Sequence, residues 1–66
     1  MQLYEFAAIL DPTEEAAKDG AKAQLILDVQ RQLASDASAA TLLAARAIPD
    51  EYVEHLDRIR VIVRPF

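Results

Sequence analysis

The sequence predicts a small α+β unit of order β-β-α-β, in which one main helix packs on a three-stranded antiparallel sheet of spatial order 2-1-3. Three observations predict it. Residues 2–10, 24–33 and 58–64 are runs rich in aliphatic and β-branched residues. Between the last two lies an alanine-rich stretch with helical apolar spacing. Asp11-Pro12 and Pro49 interrupt the chain where a strand and a helix must stop.

Gln2 to Leu10 is the first strand. Tyr4, Phe6, Ala8 and Leu10 lie on one face, and Leu3, Glu5, Ala7 and Ile9 on the other. Both faces are largely apolar, as in a central strand. Residues 11–23 are polar and hold the only glycine, so they are expected to form a long hairpin loop. A helical turn over Thr13 to Lys18 fits within it, capped by Thr13 and followed by Gly20. Gln24 to Leu33 alternates. Leu25, Leu27, Val29 and Leu33 share a face that Arg31 interrupts, while Gln24, Ile26, Asp28, Gln30 and Gln32 share the other. Gln30 and Gln32 suit an edge strand.

Ser35 and Asp36 both offer a side chain to the orphan N–H groups of a helix start. Ala37 to Ala47 follows. Ala40, Leu43, Ala44 and Ala47 recur at i, i+3, i+4 and i+7, with Ile48 extending the stripe. Side chains this small let a helix axis approach a sheet closely. Pro49 with Asp50 and Glu51 behind it predicts a second short turn, with Tyr52, Val53 and Leu56 tucked onto the core. Arg58 to Arg64 is the third strand, with Ile59, Val61 and Val63 on one face and Arg58, Arg60, Ile62 and Arg64 on the other.

Residues 1–66 are expected to form a single domain. Hydrophobic residues make up 53% of the chain, but thirteen of them are alanine, so the core is small. With no cysteine and one histidine there is no disulfide, thiolate metal site or histidine-rich zinc site, and no cofactor is expected. Contacts with a partner are the remaining common source of stability. No apolar run approaches the ~20 residues of a membrane helix. The N-terminus lacks the basic and apolar regions of a signal peptide, so secretion by that route is not expected.

Catalytic constellations are weak. His55 has no cysteine near it, and the only serines, Ser35 and Ser38, sit at a helix start. Asp11, Glu14, Glu15 and Asp19 lack the ligand spacing of a calcium loop. Asp50 and Glu51 complement a helix start, with Glu54 and Asp57 extending that acidic cluster. The stripe of Arg58, Arg60 and Arg64 invites comparison with a nucleic-acid-binding sheet, but a net charge of −4 opposes that reading. Pairing with Glu5 and with a partner's carboxylates is the simpler account.

One helix hides one sheet face. The other face is expected to carry Ile26 and Ile62, one of the two faces of the first strand, and Arg58, Arg60, Arg64 and Glu5. An apolar centre with an arginine rim has the character of an interface. The alternative is that the long loop and the turn after Pro49 fold back over it.

Three blocks also carry a resemblance: Tyr4-Glu5-Phe6-Ala7; Ala44-Ala45-Arg46-Ala47-Ile48-Pro49 with Glu51-Tyr52; and Leu56-Asp57 followed by Val63-Arg64-Pro65-Phe66. The chain, apart from residues 11–23, resembles small, mostly uncharacterised proteins encoded by tailed phages of actinobacteria. The resemblance brings no catalytic residues with it. It implies a phage origin and a place in the virion or the bacterial host cytoplasm. The combined expectation is a non-enzymatic, protein-binding phage module, most concretely a capsid-associated or decorating subunit, homo-oligomeric or bound to a lattice. Ile26, Arg58, Arg60, Ile62, Arg64 and Phe66 are the expected contacts, and the strand end at Val63 to Phe66 is suited to joining a neighbour's sheet edge. The rival expectation is a host-directed regulator that binds and inhibits or redirects one bacterial protein.

Overall fold

The computed structural model describes all 66 residues. Strand β1 (Gln2–Leu10) is followed by a short helix α1 (Glu14–Lys18), strand β2 (Gln24–Ala34), the main helix α2 (Ala37–Ala47), a 3-10 segment (Asp50–Arg58) and strand β3 (Ile59–Pro65). The sheet is antiparallel with order β2-β1-β3, as the sequence predicts. Helix α2 packs on all three strands from one side. The shortest extent of the chain is 16 Å, room for one sheet and one helix and no third layer.

Each element starts for a local reason. Thr13 caps α1, its hydroxyl accepting from the Ala16 N–H at 3.1 Å, and Gly20 takes the left-handed conformation beyond the helix, with φ of 92°. Asp36, rather than Ser35, caps α2, accepting from the Ala39 N–H at 2.8 Å. Asp36→Ala is therefore expected to lower stability by about 1 kcal/mol. Urea denaturation would show it as a lower midpoint at unchanged slope.

The core lies between α2 and the face of β1 that carries Tyr4, Phe6 and Ala8. Phe6, Ala8, Leu27, Ala44 and Ile48 form one buried cluster; Tyr4, Ala34 and Ala40 form a second. Leu43 touches both, and Val61 and Val63 close the β3 side. Ala40 and Ala44 are fully buried, so the alanine stripe is the contact surface of α2.

Two expectations need correction. The segment after Pro49 is nine residues long, with a kink at His55. Of its apolar residues Tyr52 packs on the core, while Val53 and Leu56 stay exposed. A tight 3-10 turn aligns residues three apart, and Tyr52 has no apolar residue three positions on to share its inward side.

The second correction concerns β2, which does not alternate uniformly. Its partners across β1 step from Phe6↔Gln30 to Ala8↔Leu27 and then to Ile9↔Leu25. Asp28 and Val29 together oppose Ala7, and Ile26 is a second extra residue. These are two β-bulges. Each resets the period-2 parity. Leu27 thus turns toward the helix, while Leu25, Val29, Arg31 and Leu33 remain on the opposite face. Ile26, expected on that opposite face, packs instead against the helix-side cluster.

Candidate functional site

The sheet face turned away from α2 carries Leu3, Glu5, Ala7 and Ile9 from β1. It takes Leu25, Val29, Arg31 and Leu33 from β2, and Arg60, Ile62 and Arg64 from β3. Neither α1 nor the 3-10 segment folds over it. Leu25, Val29 and Ile62 are 52%, 57% and 45% exposed. Fold-back of the loop and turn is thereby set aside. Ala7, Ile9, Leu25, Val29 and Ile62 line a shallow depression of about 290 Å³, with Glu5 and Arg64 at one end.

At that end a charged row crosses all three strands. Glu5 is opposite Arg31 on β2 and opposite Arg64 on β3. Arg31 Nε donates to Glu5 Oε2 at 3.2 Å, and Arg64 Nε donates to Glu5 Oε1 at 2.6 Å, with Arg64 Nη2 also on Oε1. Both arginine side chains remain more than half exposed, while Glu5 is buried beneath them. The Arg31 guanidinium also lies 4.3 Å from the centre of the Phe66 ring. Phe66 continues the β3 ladder, its N–H donating to the Leu3 carbonyl at 3.0 Å.

The hydrogen bond from Arg64 holds the Glu5 carboxyl below its usual range. Burial works against this, while the charge of Arg64 and the bond and charge of Arg31 add to it. A depressed native pKa means that the unfolded chain takes up its proton first as pH falls. The stability Glu5 contributes is therefore whole above the ordinary glutamate range and is lost as pH drops through it toward the native value. Glu5→Gln should be less stable than the parent at neutral pH, and the gap should narrow below about pH 4. Urea midpoints measured from pH 3 to 6 check this; parallel curves for the two proteins would contradict it.

The other arginines lie at the opposite end. Arg60 forms a two-pronged pair with Asp11, Nε to Oδ2 at 2.7 Å and Nη2 to Oδ1 at 3.0 Å, and these bonds raise its pKa. Arg58 lies beyond the strand. Its Nη1 donates to the Asp11 carbonyl at 2.9 Å, and its Nη2 lies 3.2 Å from His55 Nδ1. A guanidinium only donates, so Nδ1 is the acceptor. Arg58 thus ties the 3-10 segment to the end of β1 and does not join the open face, where the sequence placed it. Of the expected contact residues, Arg60, Ile62, Arg64 and Phe66 are brought together on this surface; Ile26 and Arg58 are not.

Leu25, Val29, Arg31 and Leu33 are the members that strand alternation alone did not assign to it. The signal for them is Arg31: a charge in the middle of an otherwise apolar face does not belong under a helix. A second hollow of about 320 Å³ lies between the end of β2 and α2, lined by Met1, Leu33, Leu42 and Arg46 among others.

No protein-family model matches this chain, and neither a curated protein nor a solved structure shows significant similarity to it.

Proposed function

We propose that this chain is a non-enzymatic, protein-binding phage module, most concretely a small capsid-associated subunit that seats its open sheet face on a larger coat protein. The observation that carries the reading is that face: five adjacent apolar residues, three of them about half exposed, framed by arginine–carboxylate pairs at both ends. Apolar centre and polar rim is the anatomy of a contact surface.

Size favours a lattice over an isolated pair. Three strands spaced ~4.8 Å apart and 7 to 11 residues long present a footprint of roughly 400 Å². A stable two-protein interface buries about 800 Å² on each side. A contact this small holds best where many neighbouring copies act together, as on a capsid. The phage assignment itself rests on the sequence resemblance.

Quantitative mass spectrometry of purified virions tests the reading. Expected is a copy number tied to the coat lattice. Absence from virions would overturn the capsid role and move the search for a partner to host proteins.

A further inference from the structure

We infer that the outer edge of β3 accepts an extended segment of a partner protein in which acidic residues alternate with apolar ones. The inference rests on the protein-binding reading above and names the chemistry of what is bound.

The two sheet edges differ. β2 is broken by two bulges, which protect an edge from pairing. β3 pairs with β1 in one unbroken register from Tyr4↔Pro65 to Leu10↔Ile59. Beyond its two ends, the Asp11 N–H donates to the Arg58 carbonyl and the Phe66 N–H to the Leu3 carbonyl. Inward and outward groups alternate along an antiparallel strand. Arg60, Ile62 and Arg64 therefore bond inward to β1, while Val61 and Val63 present both backbone groups outward and Ile59 only its carbonyl, its N–H being held by the Leu56 carbonyl. No further strand pairs with them. This is a regular template for strand addition.

The side chains beside that edge set the chemistry. Arg60 and Arg64 flank Ile62 on the open face, with side chains 60% and 73% exposed. Each commits Nε and Nη2 to its own carboxylate, Asp11 or Glu5, leaving Nη1 to donate elsewhere. A strand added here gains most with carboxylates opposite the arginines and an apolar residue opposite Ile62. A second copy of β3 fits badly. The antiparallel register that overlaps two copies in full sets Arg60 against Arg64, like against like; of the two neighbouring registers, one pairs Val61 with Pro65, which has no N–H, and the other pairs Val63 with Ile59, whose N–H the Leu56 carbonyl already holds.

The test titrates the full chain, labelled with nitrogen-15, with acetyl-Thr-Glu-Val-Leu-Val-Glu-Thr-amide, whose glutamates can fall opposite Arg60 and Arg64. The counterpart has lysine for both glutamates. Expected are slowed hydrogen exchange at the Val61 and Val63 amides and binding about tenfold or more tighter for the glutamate peptide. Val61→Pro removes one outward N–H and leaves the inward ladder, so it should abolish binding with the dispersed spectrum of a folded chain retained. Equal binding of the two peptides, undiminished binding by Val61→Pro, or protection confined to β2 would overturn the inference. So would edge protection that grows with protein concentration alone, which identifies a second copy as the occupant. Val29→Asp separates this inference from the docking reading: it should remove face docking on the virion and leave peptide protection at Val61 unchanged.

Discussion

Phe6→Ala is expected to leave most of the chain unfolded at 25 °C. Phe6 is the one large side chain that is almost wholly buried, 1% exposed, and it joins Ala8 and Leu27 of the sheet to Ala44 and Ile48. Truncating a buried phenylalanine costs about 3–5 kcal/mol. A core of this size supplies about 3–5 kcal/mol of net stability in total. The two quantities are equal, so the substitution consumes the whole margin. The neighbours cannot close the gap: Ala8 and Ala44 have no side chain to extend, and strand pairing holds β1 in place. Circular dichroism and urea denaturation should show a lost or barely detectable transition. A cooperative transition with a midpoint near the parent's would show that the core is centred elsewhere.

Ile62→Asp should do the reverse, sparing the fold and removing association. Ile62 lies on β3 but faces away from α2 and is 45% exposed, so an aspartate there keeps its water in the free chain. The change in folding stability is expected to stay within about 1 kcal/mol. In a docked state the same carboxylate would sit unpaired in the apolar centre of the contact, which costs several kcal/mol. A footprint this small has no reserve against that. Recovery of the variant with purified virions should fall to background while its urea midpoint stays near the parent's. Unchanged recovery would remove the open face from the contact.

Much of the fold was legible in local chemistry. The three strands, the helix over Ala37–Ala47 and the caps at Thr13 and Asp36 follow from turn residues, propensity and spacing, which act within a few residues. The open face was legible only in part. Ile62, Arg60 and Arg64 follow from the alternation of β3, which the structure leaves undisturbed. Ile26 was misplaced because a bulge is a relation between two strands and leaves no mark in one of them. Arg58 was misplaced because its hydrogen bonds to the Asp11 carbonyl and to His55 form only once the chain ends meet across the sheet.

The three strand segments and the single alanine-striped helix were therefore determined by the amino-acid sequence alone, since each depends on neighbours in the chain or on a period that one segment carries by itself, and the strand order followed from the rules that govern short connections. Which side of β1 meets that helix was decided only in three dimensions. Both sides are apolar by composition, and the choice fell to the packing of Phe6 against Ala44 and to the burial of Glu5 between two arginines on strands 26 and 59 residues away. A carboxylate can be covered there because both cations arrive with it, and the apolar remainder of that side is left exposed.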